Sequence, residues 1–197
     1  MQKVRIGIIG LGVGRHHIPS YQAHPNAELV AIADLDEARL KEAGDHFGVA
    51  KRYLSGEQML KEEKLDVVDV ATPNHLHAPA ALEAGCHVLC EKPMALNADQ
   101  ARQMLQAAKR TGRRLGINFS YRFSEQSMAL KREVEAGVLG DIYFARTIWH
   151  RRRGFPRFGS WFGQKALSGG GPLIDLGVHR LDLALWAVSV GLIAGMV

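Results

Sequence analysis

Several short stretches of the 197-residue sequence put chemically able side chains at informative spacings. The first is Gly7-x-x-Gly10-x-Gly12-x-Gly14, which closes the hydrophobic run Val4–Ile9. Glycines at 10 and 12 let a turn tighten and let its backbone, Val13 included, approach a diphosphate. The charge of that group then meets open N–H groups at a helix start. The third glycine of this pattern belongs at position 15, where Arg15 stands; the glycine is at 14. Asp34 lies 22 residues beyond Gly12, at the end of the next apolar run. A carboxylate there can accept hydrogen bonds from the hydroxyls of an adenosine ribose, and it repels a 2′-phosphate. NAD is therefore expected ahead of NADP, with Arg39 the nearby cation that works against this preference. Asp36 reads as a helix cap.

Further polar groups follow later apolar runs: Thr72-Pro73-Asn74-His75-x-His77, then Glu91-Lys92-Pro93, then Asn118 and Arg122. Taken singly, each has a plain reading. Thr72 and Asn74 can cap a helix, His77 can sit on the surface, and Glu91 with Lys92 can be a solvated pair. Together, on the strand edge where doubly wound sheets bind ligands, they mark a site. Asp175 and His179 stand four apart on a predicted helix and share a face. A carboxylate beside an imidazole orients it and raises its basicity, which suits a general base; helical charge pairing explains the same spacing. Asp182 is read as a pairing or solvated acid. His16, His17, His75, His77, Cys86, His87 and Cys90 show no zinc-like spacing, and His87 and Cys90 face opposite sides of a strand, so no metal is expected.

The elements that must position these groups alternate. Strands are predicted at Val4–Ile9, Glu28–Ala33, Val67–Ala71, His87–Cys90 and Leu115–Phe119. Helices fall between them: 15–24 (with Pro19 inside), 36–47, 57–64, 79–84 ending at Gly85, and one capped by Asn97 or Asp99 and ended by Gly112. Tyr53 and Ser55 are read as part of a connection. Such alternation calls for an α/β fold of Rossmann type, a doubly wound parallel sheet with helices on both faces. After Phe119 the rhythm changes. A helix is predicted at 124–136, a strand at Ile142–Trp149, and a last helix to about Val188 after Ser168-Gly169-Gly170-Gly171-Pro172. This is the incomplete start of an α+β second domain, since one strand makes no stable sheet. The expected division is 1–120 and 121–197.

Composition narrows the classes. Residues 1–100 carry 10 Lys/Arg against 14 Asp/Glu, and residues 101–197 carry 15 against 6. A uniformly basic nucleic-acid binder would not divide so. The basic run His150–Phe158 has interleaved aromatics, but no nucleic-acid fold accompanies it, and no nucleic-acid partner is expected. Two cysteines do not make a disulfide scaffold, the N-terminus reads directly as a strand, and a cytoplasmic protein is expected. From Leu183 onward fifteen residues carry no charge, short of the roughly 20 a membrane span needs, so no membrane role is expected.

Four segments, GIIGLGVGRHH, AIADLD, VVDVATPNHLHAPAALEAGCHVLCEKPMA and SGGGPLIDLGVHRLDLALW, together resemble the Gfo/Idh/MocA oxidoreductases, over roughly residues 3 to 186. The resemblance implies hydride transfer between a nicotinamide cofactor and a sugar or polyol, and a homo-oligomer joined through the second domain's sheet. It implies Lys92, Asp175 and His179 as catalytic residues. It implies cofactor contacts at Gly10, Gly12, Val13, Asp34, Arg39, Thr72, Asn74, His77, Glu91, Lys92 and Asn118, and a substrate pocket lined by Arg122, Trp161, Asp175 and His179. The sequence departs from the family at the displaced third glycine and at its end, where AVSVGLIAGMV no longer resembles the family and most of the second sheet is missing. A catalytically weak dinucleotide-binding protein, or a subunit completed by a partner, is the competing reading.

Overall fold

The computed structural model describes residues 2–72, 78–150, 152–153 and 163–188. Asn74, His77, Trp161, most of the basic run and the tail beyond 188 lie outside the described residues. The chain divides into two compact units, Met1–Asn118 and Phe119–Val197.

The first unit alternates strand and helix: β1 (Val4–Ile9), α1 (Ile18–Ala23), β2 (Ala27–Ala33), α2 (Glu37–Phe47), β3 (Lys51–Tyr53), α3 (Gly56–Glu62), β4 (Val67–Val70), α4 (Ala78–Glu83), β5 (His87–Glu91), α5 (Ala98–Thr111) and β6 (Leu115–Asn118). All neighbouring strands pair in parallel, in the order β3-β2-β1-β4-β5-β6. This is the Rossmann order. The direction of winding reverses between β1 and β4, which opens a crevice at their carboxyl ends.

Strand alternation divides the core into two layers. Ile8 and Ile32 point to one face and meet Leu11, Ile18, Leu40 and Ala43, which brings α1 and α2 onto that face. Ile9, Ala31, Ala33, Val68, Val70 and Val88 point to the other and meet Met59, Ala81, Leu82 and Met104 from α3, α4 and α5. Burying each of the large aliphatic side chains stabilises the fold by roughly 1.5–3 kcal/mol. The free thiols Cys86 and Cys90 belong to this second layer, where burial pushes the Cys90 thiol up to about 12.

Local signals set the helix starts. Asp36 caps α2 by accepting from the Arg39 amide, Ser55 caps α3, and Asn97 rather than Asp99 caps α5. Pro19 does not break α1. It lies in the first turn, where its missing N–H has no intrahelical partner to lose. Residues 51–53, expected to be connection, form the edge strand β3. Three residues show no periodicity, but the open side of β2 supplies the ladder that orders them.

The second unit holds a 3-10 turn (Ser120–Phe123), α6 (Glu125–Glu135), α7 (Lys165–Ser168), a π-helical turn (Leu173–Gly177) and α8 (Val178–Val188). The strand expected at Ile142–Trp149 does not form: residues 142–149 have no regular structure, and Tyr143 is 97% exposed. Branched and aromatic side chains favour a strand only where a neighbour takes up its backbone hydrogen bonds, and no such neighbour is present among the described residues. No helix among them is long and apolar enough to cross a membrane.

Gly10 separates strain from space at the exit of β1. Its φ is +93°, and a Cβ there would lie 2.8 Å from the backbone carbon and oxygen of Ala71, whereas a Cβ on Gly12 would meet nothing within 4 Å. Gly10→Ala should destabilise the chain by at least about 2 kcal/mol, and Gly12→Ala by less than about 1 kcal/mol, in urea denaturation.

Candidate functional site

The glycine turn and the acid that closes β2 form one hydrogen-bonded assembly. The Gly10 amide donates to the Ala33 carbonyl at 2.8 Å, and the Leu11 amide donates to Asp34 Oδ2 at 2.6 Å. The Asp36 amide donates to Asp34 Oδ1 at 2.8 Å. Arg39 Nη1 bridges both carboxylate oxygens at 3.2 and 3.1 Å, while its Nη2 pairs with Asp36 at 3.1 Å. The displaced glycine also has a physical role. A Cβ on Gly14 would sit 2.9 Å from Ile8 and 3.1 Å from Ala71, so this glycine lets the turn close down on β1 and β4, which is the work expected of a glycine at 15. Gly12 and Val13 are exposed on the outer side of the turn. Beside it, Thr72 follows β4 with its methyl side toward Gly10 and its Oγ1 buried without a hydrogen-bond partner among the described residues.

A second cluster occupies β4, β5 and β6. Asp69 is fully buried within the otherwise apolar strand β4. Its Oδ2 accepts from Tyr21 Oη at 2.8 Å and lies 2.8 Å from His17 Nδ1. The other ring nitrogen of His17 is 3.4 Å from Glu91 Oε1, which also accepts from Asn118 Nδ2 at 2.6 Å. With a carboxylate at each nitrogen, the imidazole carries both protons. The hydrogen bond to Asp69, then that to Glu91, outweighs burial and raises His17 to about 10. Glu91 is pushed up by burial, but hydrogen bonds from His17 and Asn118, with the positive charges of His17 and Lys92, hold it below the usual carboxylate range. Burial, followed by the charge of Asp69, pushes the Tyr21 phenol up.

Glu91 and Asn118 are thus joined by groups the sequence reading passed over: His17, Tyr21 and Asp69. One signal was available. An acid inside VVDV has to find donors, and His17, at the N-terminal cap of α1, stands four residues before Tyr21.

Lys92 follows Glu91, half-buried, and its bond to Pro93 is cis. Asp175 and His179 belong to the second unit, Asp175 in the π-helical turn and His179 at the start of α8. His179 is buried against the rings of Tyr121, Trp149 and Phe119, with centroids at 4.9, 5.9 and 6.4 Å. Arg122 is a two-pronged partner of Asp182, with Nε at 2.8 Å, and lies over the Phe119 ring at 5.3 Å. Asp182 is therefore a pairing acid. Among the described residues no three His, Cys, Asp or Glu side chains converge as a metal requires.

A reversing parallel sheet, with a glycine turn locked to an acid on the adjacent strand, defines a Rossmann dinucleotide-binding class. Residues 4–119 match the model of an oxidoreductase family with an NAD-binding Rossmann fold, and residues 127–190 match the GFO/IDH/MocA C-terminal domain. The chain belongs to the Gfo/Idh/MocA oxidoreductase family. It is 40% identical to D-glucoside 3-dehydrogenase of Escherichia coli (strain K12), over 94% of this chain and 54% of that protein. It is 34% identical to D-apiose dehydrogenase of Paraburkholderia graminis, over 93% and 49%. The crystal structure of the WlbA dehydrogenase from Bordetella pertussis, in complex with NADH and UDP-GlcNAcA, superposes with a TM-score of 0.83 at 30% identity, over 95% of this chain and 56% of that one. The chain spans about half the length of the curated relatives it matches.

The His17 cluster has a pH signature. Folded, His17 keeps its proton to about pH 10; unfolded, it loses it near 6.5. Its contribution to stability is complete below pH 6.5, falls by at most about 1.4 kcal/mol per pH unit above that, and is lost as pH rises through 10. Urea denaturation between pH 6 and 10 should show this decline in the native chain and a flatter, lower profile in His17→Gln.

Proposed function

We propose that this chain serves NAD-dependent hydride transfer to or from a hydroxyl-bearing carbon of a sugar or polyol. The observation that carries the reading is the bond between the Leu11 amide and Asp34, because it ties the diphosphate turn to the ribose acid as a single preformed surface. The residues suit the cofactor. Gly10 adopts a backbone that other residues rarely take, a Cβ on Gly12 would meet nothing within 4 Å, and among the described residues the Thr72 hydroxyl has no hydrogen-bond partner. In this reading Gly10, Gly12 and Val13 hold the diphosphate, and Asp34 and Arg39 meet the adenosine ribose. Thr72, Asn74, His77, Glu91 and Asn118 line the nicotinamide half. Bound NAD supplies the hydride acceptor or donor.

The protein's own share is proton transfer and charge. His179 takes the hydroxyl proton on a ring nitrogen as an alcohol is oxidised and returns it when a ketone is reduced, with Asp175 orienting the ring. The Lys92 ammonium stabilises negative charge growing on the substrate oxygen. Arg122 and Trp161 line the substrate pocket. Residues 1–120 form the cofactor domain, and 121–197 belong to a substrate and oligomerisation domain of a cytoplasmic homo-oligomer that binds no nucleic acid. The dehydrogenase names and the sugar-nucleotide ligand of the relatives support this substrate class.

Calorimetry with NAD⁺ and a rise in cofactor absorbance on a polyol and glycoside panel separate binding from turnover. Lys92→Ala and His179→Ala should keep NAD⁺ affinity within about threefold and lower turnover by roughly 10²–10⁴-fold. Absence of any NAD⁺ heat in the native chain overturns the reading, and binding without turnover reduces it to a cofactor-holding protein.

A further inference from the structure

The polar contacts of Glu91 fall on one of its two oxygens. Oε1 accepts from Asn118 Nδ2 at 2.6 Å and lies 3.4 Å from His17 Nε2, and among the described residues no group donates to Oε2. An ionised carboxylate offers about four acceptor positions, two on each oxygen, so Oε1 is filled and Oε2 is open. Glu91 is the last residue of β5, one place beyond the pairing of Cys90 with Val70, where β4 ends. It therefore stands beside the crevice at the carboxyl ends of β1 and β4. Its side chain is 17% exposed. On the other side of the imidazole, Asp69 is wholly buried in an apolar strand, a costly place for a charge. That acid has a use. With Nδ1 held at 2.8 Å by Asp69, the His17 ring turns away from Glu91 only by breaking a buried contact.

From this we infer that His17 is a positioning residue for the nicotinamide half of the dinucleotide: braced on Asp69, it holds Glu91 by Oε1 and so presents Oε2 to a hydrogen-bond donor of the ligand. The inference rests on the dinucleotide reading above. The nicotinamide half offers two kinds of donor, the hydroxyls of its ribose and the N–H of its carboxamide. His17 acts through Glu91 and not on the ligand. Without it Asn118 alone holds the carboxylate, which is then free to rotate, and binding must supply the order that the bridge provides in advance. Tyr21 has a different part. Its hydrogen bond, at 2.8 Å, ends at Asp69, so it helps to satisfy the buried acid without orienting Glu91. The two donors to Asp69 thus separate a structural task from a positioning one.

The test is calorimetric titration of the native chain, His17→Gln, Tyr21→Phe and Glu91→Gln with NAD⁺, ADP-ribose and ADP, alongside thermal melts that report folding. ADP keeps the adenosine and the diphosphate and lacks the nicotinamide half. His17→Gln should weaken NAD⁺ by at least about tenfold and hold ADP within about threefold of native. ADP-ribose should weaken along with NAD⁺ where the donor is a ribose hydroxyl, and should behave as ADP does where it is the carboxamide. Tyr21→Phe takes a hydrogen bond from the same buried acid and should lower the melting temperature, yet keep NAD⁺ within about threefold of native. Glu91→Gln keeps an acceptor for His17 and Asn118 and puts an N–H₂ group in place of Oε2. It should lose NAD⁺ affinity and spare ADP as His17→Gln does, and it decides the matter if His17→Gln does not fold. Equal loss of NAD⁺ and ADP in a folded His17→Gln would show a general effect on the turn and overturn the inference. A loss of NAD⁺ in Tyr21→Phe as large as in His17→Gln, or native NAD⁺ affinity in folded His17→Gln or Glu91→Gln, would overturn it equally. A native chain that binds neither NAD⁺ nor ADP is a different result, and brings down the dinucleotide reading itself.

Discussion

The first unit depends on how the backbone is satisfied where β1 ends. A parallel strand that stops in a tight turn leaves amides pointing out of the sheet, and buried amides without acceptors are costly. Here the Gly10 amide continues into the β2 ladder through Ala33, and the Leu11 amide is taken by the Asp34 side chain. One carboxylate thus performs a structural task and presents a charged surface at the switch point of the sheet. Its position does not depend on a ligand. The turn is held by the protein's own contacts.

A second constraint is the charge buried in β4. Asp69 has no solvent to stabilise it, and its compensation comes from the start of α1, through the His17 cation at the helix cap and the Tyr21 hydroxyl. Because His17 also reaches Glu91, and Glu91 takes the Asn118 amide, the ends of three strands are linked through polar contacts above an apolar core. The segment carrying Glu91 and Lys92 is thereby tied to the opening helix. His17 stays protonated far above the usual imidazole range because its hydrogen bonds to Asp69 and then Glu91 outweigh its burial.

The second unit follows a different logic. Its described part is built of helices and aromatic contacts around His179, with Arg122 committed to Asp182. The segment at 142–149 carries the composition of a strand without the neighbours of one. Composition states what a segment can do; pairing decides whether it does.

Local and periodic features were legible in the sequence: the alternation of strand and helix, the cap at Asp36 and one at Asn97 or Asp99, the glycine turn, and the acid 22 residues beyond Gly12. These depend on nearest neighbours and on hydrophobic period, both of which are properties of contiguous residues. Tertiary structure decided the rest. It made an edge strand of residues 51–53, gave Gly14 the close approach expected of position 15, and joined His17 and Tyr21 to Asp69. Each of these is settled by a partner supplied from elsewhere in the fold, and spacing along a single chain does not reveal which distant group will take up a buried charge or an open ladder.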